Sequence, residues 1–179
     1  MSCLIIPGLR SSGPDHWQSL WERERGDCRR VELGDWDDPT RFGWIAGVAR
    51  AVEQAPGFPI IVAHSLGCLA VAWWAGLAGR AAAKVTGALL VAPPDPERAG
   101  ADPRVARFGP VPRQPLPFPA IVVASRNDPY AAFDRSRAMA DSWSAAFHDA
   151  GAAGHLNAES GLGCWDFGQS LVADLQRSG

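Results

Sequence analysis

Short apolar runs alternate with longer amphipathic segments along this chain, and the two kinds of segment predict strands and helices respectively. The strand-like runs lack polar alternation, which is typical of strands covered on both faces of a parallel sheet. They span residues 3–7, 58–63, 85–92, 120–124 and, as a short last strand, 146–149. Strands that alternate with helices are typical of βαβ units. The pattern therefore predicts an α/β fold with a mostly parallel sheet and helices on both faces.

The predicted helices are bounded by residues that favour helix ends. Pro14 and Asp15 suit the first turn of the first helix, and Gly26 offers its end. Asp38-Pro39 and Pro56-Gly57 bound the second helix in the same way. Its predicted core-facing stripe consists of Phe42, Ile45, Val48, Ala49 and Val52. Further helices are predicted from residue 66 to about 79 and over residues 130–146 and 166–177.

Residues 93–119 contain nine prolines, which remove backbone donors and fix φ. This segment is therefore predicted to be neither helix nor central strand. We expect a long, solvated surface connection, with a flap over the functional site as the alternative.

Composition narrows the picture further. A chain of 179 residues predicts a single domain over residues 1–179 that needs no disulfide or metal. The net charge of −2 and the lack of a basic run exclude an electrostatic footprint for nucleic acid or anionic membranes. The cysteines have no metal-site spacing, so reduced thiols are expected at Cys3, Cys28, Cys68 and Cys164. The amino terminus resembles neither a signal peptide nor a membrane span, so a cytoplasmic location is expected.

A candidate nucleophile follows the second of these strand-like runs. Ala63-His64-Ser65-Leu66-Gly67 joins that strand to a helix rich in small residues, and it differs from the G-x-S-x-G elbow by the methyl group of Ala63. Serine needs a base, an orienting acid and donors for an oxyanion before it becomes a useful nucleophile. Ser65 is therefore interpreted as a nucleophile, with helix capping as its alternative role.

The acid and the base are expected on later loops. Asp128 follows the strand at residues 120–124 and is the candidate acid, with helix capping as another role and with Asp95 and Asp102 as competitors. His155 lies in a glycine-rich approach to the last helix and is the candidate base. The remaining histidines fit that role less well. His64 should point away from Ser65, His148 lies in the last strand, and His16 is expected either to line the pocket or to be an ordinary exposed residue.

The remaining site residues are predicted around these three. The backbone N–H groups of Leu66 and Leu9 are the candidate oxyanion donors, with Arg10 as the alternative to Leu9. Trp17 and Trp165 flank the loops of the donor and the base, so they are candidates to shape a substrate pocket together with His16.

With these residues assigned, the chain resembles the family of small serine hydrolases named for YdeN and retinoblastoma-binding protein nine. The resemblance is carried by Pro7-Gly8, Asp15-His16-Trp17-Gln18 with Trp21, Ala63-His64-Ser65-Leu66-Gly67-Cys68, Ser125-Arg126-Asn127-Asp128-Pro129-Tyr130, Gly154-His155-Leu156-Asn157 and Ser160-Gly161-Leu162-Gly163-Cys164-Trp165. It implies a three-layer α/β-hydrolase-type fold with little or no cap domain. It also implies a Ser–Asp–His triad at the three positions above and no cofactor.

The leading functional hypothesis is hydrolysis of a small ester, amide or thioester, with a small-molecule acyl substrate and an acyl-enzyme on Ser65. Both esterase and peptidase activities fit this pattern. The alternative is a partner-binding module of the same fold with weak or vestigial activity. A third hypothesis, a cysteine hydrolase that uses Cys68, fits poorly because Cys68 lies one turn into the helix. The acyl group, the leaving group and the oligomeric state are left open.

Overall fold

The computed structural model describes residues 2–178, and this part of the chain forms one six-stranded sheet. All strands are parallel, and their order is β2-β1-β3-β4-β5-β6. The strands are Cys3–Ile6 (β1), Cys28–Arg30 (β2), Ile60–His64 (β3), Gly87–Val91 (β4), Ala120–Ala124 (β5) and Ala146–Asp149 (β6). Apart from β2, each was predicted from its apolar run to within two residues at either end, and β5 and β6 match fully.

Six α-helices connect or follow these strands in residues 2–178. They are Trp17–Glu24 (α1), Arg41–Gln54 (α2), Leu66–Leu77 (α3), Pro103–Ala106 (α4), Phe133–Ser142 (α5) and Asp166–Ser178 (α6). Short 3₁₀ helices cover Gly79–Lys84 and Ala158–Ser160. None of these helices is long and apolar enough to cross a membrane.

Helices cover both faces of the sheet because neighbouring residues along a strand point to opposite faces. In β1, Leu4 and Ile6 pack into one core with side chains of α2, α3 and α5. Cys3 and Ile5 pack into the other core with α1 and α6. The predicted α/β class, with helices on both faces of a parallel sheet, is confirmed.

Two helices begin later in the chain than predicted, because a residue that follows the proline provides the capping side chain. His16 caps α1, since its Nδ1 accepts a hydrogen bond from the amide of Gln18 (3.1 Å), and Pro14 lies in the turn before it. Thr40 caps α2 in the same way through the amide of Gly43 (3.2 Å). Proline-containing turns therefore precede these helices rather than opening them.

The predicted core stripe of α2 is partly wrong. Ile45, Val48 and Val52 are buried as expected, whereas Phe42 is 72% exposed and Ala49 is exposed. Trp44 occupies the core instead, and its ring contacts that of Phe108 at 5.6 Å. The helix is rotated so that this larger side chain is buried, which removes more apolar surface from water.

Residues 93–119 are more than a solvated connection. Phe108 and Val111 are buried in the core, and the indole N–H of Trp73 donates to the carbonyl oxygen of Phe108 (2.6 Å). The helix α4 is one turn that the proline count did not predict. Residues around this helix line the cavity at the carboxyl edge of the sheet, which fits the alternative prediction that this segment forms a flap over the functional site.

Candidate active site

The structure brings Ser65, His155 and Asp128 together at the carboxyl edge of the sheet. Ser65 directly follows β3, Asp128 lies in the loop after β5, and His155 lies in the loop after β6. The Ser65 hydroxyl lies 2.8 Å from Nε2 of His155, and Nδ1 of His155 lies 2.8 Å from Oδ2 of Asp128. The hydroxyl can therefore donate to His155, while His155 donates to the carboxylate from its other nitrogen.

The backbone at Ser65 has the sharp strand-to-helix turn of a nucleophile elbow. Its φ of 53° and ψ of −126° lie in a backbone region that residues other than glycine rarely adopt. Close packing explains the small residues around it. A Cβ added to Gly67 would lie 2.5 Å from the carbonyl oxygen of Pro7, and one added to Gly8 would lie 2.7 Å from Cβ of Ser65. Strained geometry of this kind persists because the surrounding structure fixes it.

The structure disfavours two alternative roles at the elbow, helix capping by Ser65 and nucleophilic attack by Cys68. The Ser65 side chain makes no capping hydrogen bond to α3, so its hydroxyl is directed to His155 instead. Cys68 is fully buried, and its thiol donates to the carbonyl oxygen of Val91 (3.4 Å). Burial also raises the pKa of the Cys68 thiol, which disfavours the thiolate that a nucleophilic cysteine requires.

Asp128 uses both of its oxygens. Oδ1 accepts from the amide of Tyr130 (2.8 Å) while Oδ2 faces His155, so one carboxylate serves a turn and an imidazole. Its side chain is only 4% exposed. The competing acids are occupied elsewhere. Asp95 pairs with Arg135 at 3.3 Å and Asp102 pairs with Arg104 at 2.6 Å.

Short polar side chains after β5 fix the loop that carries His155. The amide of Ala153 donates to the hydroxyl oxygen of Ser125 (2.8 Å), and the amide of Gly154 donates to Oδ1 of Asn127 (2.7 Å). The sequence motif contains both residues, but it predicted no role for either. A pair of short polar residues directly after a buried strand is the signal that could have indicated their role in fixing the loop.

The candidate oxyanion donors differ in availability. The amide of Leu66 is the first of α3, so it has no acceptor within the helix. The amide of Arg10 donates to the carbonyl oxygen of Trp36 (2.8 Å), which disfavours it as the alternative donor. Leu9 precedes it and lines the cavity, and among residues 2–178 its amide has no hydrogen-bond acceptor. The backbone N–H groups of Leu9 and Leu66 are therefore better candidates for the two oxyanion donors than a pair that includes Arg10.

A cavity of about 700 Å³ opens above Ser65 and His155. Its walls include Leu9, His16 and Tyr130, and residues from the proline-rich segment between 94 and 105 form one side. A cavity of similar volume, about 710 Å³, lies at the amino-terminal edge of the sheet beside Cys28 and Phe58, and it contains none of the predicted site residues.

Of the three predicted pocket residues, the structure brings only His16 to the cavity. Trp17 and Trp165 pack against each other in the core, with ring centroids 4.9 Å apart and exposures of 1% and 8%. Their position beside the site loops was predicted, but their side chains face the sheet. Trp17 contacts the site through its indole N–H, which donates to the carbonyl oxygen of Leu156 (2.8 Å).

His16 is buried and neutral. Burial is the largest of the causes that lower its pKa from 6.5 to about 4, and repulsion from Arg30 and from the His155 ring contributes to the same shift. Nδ1 accepts the capping hydrogen bond, so the proton of the neutral ring is on Nε2. Nε2 has no hydrogen-bond partner among the residues that the structure describes.

The burial of His16 predicts acid sensitivity. The unfolded chain binds a proton near pH 6.5 and the folded chain only near pH 4, so stability decreases as the pH falls through this window. Between about pH 7.5 and pH 5, His16 should contribute a loss of about 2 kcal/mol in the free energy of unfolding. Urea unfolding of wild type and His16→Asn measures this, because asparagine can still cap the helix. His148→Asn is the matched control. An equal acid loss in wild type and His16→Asn would contradict the assignment.

No group of three or more His, Cys, Asp or Glu side chains within residues 2–178 is arranged to hold a metal ion. The chemistry that the arrangement supports is nucleophilic, with a hydroxyl, a base and an acid in sequence.

Comparison with known proteins shows which family and fold this chain shares. Residues 3–174 match the family model described as serine hydrolase. A solved structure described as a YdeN-like hydrolase from Pectobacterium atrosepticum is 32% identical with a TM-score of 0.86, covering 98% of this chain and 90% of that one. No curated protein matches the chain.

More distant structures share the fold. The ydeN gene product from B. subtilis is 19% identical with a TM-score of 0.76, covering 98% of both chains. An N-formylmaleamic acid deformylase from Pseudomonas putida S16 is 14% identical with a TM-score of 0.73, covering 93% of this chain and 90% of that one. The α/β-hydrolase-type fold implied by the sequence resemblance is therefore confirmed.

Proposed function

Because this chain belongs to the serine hydrolase family and is YdeN-like, we propose that it cleaves a small ester, amide or thioester through an acyl-enzyme on Ser65. One observation carries the proposal. The Ser65 hydroxyl, the His155 ring and the Asp128 carboxylate form a continuous chain of two 2.8 Å contacts. These are the contacts that a Ser–His–Asp triad needs to move a proton from the nucleophile to the leaving group.

In the proposed reaction, Ser65 Oγ attacks the acyl carbonyl carbon while Nε2 of His155 accepts the hydroxyl proton. Asp128 accepts the Nδ1–H of His155 and stabilises the imidazolium that forms. The backbone N–H groups of Leu9 and Leu66 donate to the carbonyl oxygen as it gains negative charge. His155 then protonates the leaving group as its bond to the acyl carbon breaks. Water next attacks the acyl carbon while His155 accepts its proton, and the bond to Ser65 Oγ breaks as His155 returns that proton to Ser65.

The cavity supports a small-molecule substrate. Ligand pockets of enzymes typically measure about 300–1,000 Å³, and the cavity above Ser65 lies within this range at about 700 Å³. The proline-rich segment contributes Arg98 and Arg104 to the wall of this cavity. The charge of Arg104 is already paired with that of Asp102. Ring contact between Tyr130 and His155, at 4.5 Å, adds an aromatic wall next to the proposed base.

The proposal is tested by labelling the wild-type protein with a fluorophosphonate and identifying the modified peptide by mass spectrometry. We expect one label per chain, on Ser65, in the folded protein and none after heat denaturation. Hydrolysis of p-nitrophenyl esters of increasing chain length, acyl thioesters and aminoacyl-coumarin amides then separates the esterase, thioesterase and peptidase alternatives.

Two results would contradict the proposal. A label on a residue other than Ser65 would assign the nucleophile elsewhere. A folded protein that neither reacts with the probe nor hydrolyses any compound in the panel would instead support a partner-binding module of this fold.

A further inference from the structure

His64 contacts the backbone of the proposed base and directly precedes the proposed nucleophile, although the reaction above gives it no role. It is the last residue of β3 and directly precedes Ser65. Its side chain points to the loop that carries His155, and Nε2 lies 2.9 Å from the backbone carbonyl oxygen of His155. His64 is 5% exposed, so water does not compete freely for this contact.

The hydrogen bond fixes the tautomer of His64. A carbonyl oxygen can only accept, so Nε2 of His64 must carry the proton and donate it. Burial lowers the pKa of His64 well below its usual value, and repulsion from the neighbouring His155 and His16 rings in their protonated forms acts in the same direction. The ring is therefore neutral, with its single proton in the bond to the carbonyl of His155.

Neutrality matters because the His64 and His155 rings lie only 5.0 Å apart. In the proposed reaction His155 becomes positively charged, and a second positive ring at this distance would oppose that step. A neutral donor holds the backbone of His155 in both charge states of its ring. Lysine or arginine in place of His64 would lack this property.

The position of His64 is itself fixed from the other side. The His16 ring contacts it edge-on at 4.7 Å and the Trp17 ring at 6.1 Å. Trp17 also donates from its indole N–H to the carbonyl oxygen of Leu156 (2.8 Å). Two successive carbonyls of one loop therefore accept hydrogen bonds from buried rings. Leu156 has a φ of 50°, a conformation that needs such support.

We propose that His64 is a positioning residue, which ties the end of β3 to the backbone of His155 and so holds the base in line with Ser65. The bond links the loop of the base to the same strand end that carries the nucleophile. The distance between Nε2 of His155 and Oγ of Ser65 is then set by one short connection rather than by two independent loops. This inference rests on the proposed function, because it assumes that His155 acts on Ser65.

The experiment compares two substitutions that differ in one property. His64→Phe retains a ring of similar size and removes the donor, whereas His64→Gln retains a side-chain N–H. We expect His64→Phe to lower kcat by about 10–100-fold, since a misplacement of about 1 Å in a catalytic group can cost that much. KM should change far less, because His64 contacts the base rather than the acyl group. His64→Gln should recover at least part of the lost kcat.

The rate of fluorophosphonate labelling provides a second readout, because it requires Ser65 and His155 but no substrate binding. It should fall in His64→Phe in proportion to kcat. Both assays are made at a temperature at which circular dichroism shows each variant folded. Should His64→Phe fail to fold, histidine ¹⁵N spectra of wild type replace it. We expect there one ring whose Nε2 is protonated and hydrogen-bonded and whose pKa lies well below the usual histidine value.

Failure of this inference can be distinguished from failure of the proposed function. Wild-type protein that is not labelled at Ser65 contradicts the proposed function directly. Labelled wild type with an unchanged kcat in His64→Phe, an equal loss in Phe and Gln variants, or a change in KM alone contradicts only the positioning role. In the spectra, the absence of a ring with a protonated, hydrogen-bonded Nε2 would likewise contradict the positioning role.

Discussion

Replacement of Ser65 by alanine is expected to lower kcat by a factor of about 10⁶, the loss typical of removing the nucleophile from a serine hydrolase. Among the side chains in the proposed mechanism, the Ser65 hydroxyl alone forms a bond to the acyl carbon. Its loss leaves the amides of Leu9 and Leu66 and the cavity, and such remnants accelerate hydrolysis over water by only about 10³–10⁴-fold. Hydrolysis of an activated phenyl ester by purified variant and wild type measures the difference.

The substitution should leave the fold intact. Alanine and serine are of similar size, and both must adopt the positive φ of 53° at the elbow. We therefore expect the thermal unfolding midpoint to change little. Ser170→Ala, on an exposed position of α6, is the matched control and should retain the wild-type kcat. A loss of less than about tenfold in folded Ser65→Ala would remove Ser65 from the role of nucleophile.

The proximity of Ser65, Asp128 and His155 could be predicted because each residue follows a strand that the local sequence pattern indicates. Buried strands read as apolar runs, and the carboxyl ends of parallel strands all meet at one edge of the sheet. Polar residues that directly follow such runs are therefore expected to lie close together, whatever the details of the intervening helices. The structure brings these three into contact for that reason.

The contacts that hold the site could not be predicted, since they depend on which loops meet. Nothing local to His64 indicates that its ring faces the carbonyl of His155, 91 residues further on. Trp17 was expected in the pocket because it flanks a site loop. Its actual contact, an indole N–H on Leu156, joins residues 139 positions apart. Adjacency in sequence gave the neighbourhood of these side chains but not their direction.

Two misassigned segments show how tertiary packing overrides local pattern. The strand β2 is three residues long and contains two arginines, so no apolar run marked it; parallel pairing with β1 creates it. The proline-rich segment was expected to be solvated because proline disfavours helix and strand. It packs nonetheless, since Phe108 and Val111 within it bury apolar side chains in the core.

Replacement of Asp128 by asparagine is expected to lower kcat by about 10⁴-fold, although the two side chains have the same shape. Oδ1 can still accept from the amide of Tyr130, which leaves the NH₂ group facing Nδ1 of His155. An NH₂ group can only donate, so Nδ1 must lose its proton and Nε2 must carry it. Nε2 then cannot accept the proton of Ser65, and the base is present in the wrong tautomer.

The comparison of three aspartates makes this prediction specific. Asp141→Asn changes an exposed residue of α5 and should retain the wild-type kcat. Asp95→Asn removes a charge from the cavity wall and weakens the pair with Arg135, so a loss of stability is expected there and a far smaller change in kcat than at Asp128. If Asp95→Asn lowered kcat more than Asp128→Asn, the acid would have to be reassigned. The 2.8 Å contact between Asp128 and His155 argues for the opposite order, because within residues 2–178 no other carboxylate side chain bonds to the ring.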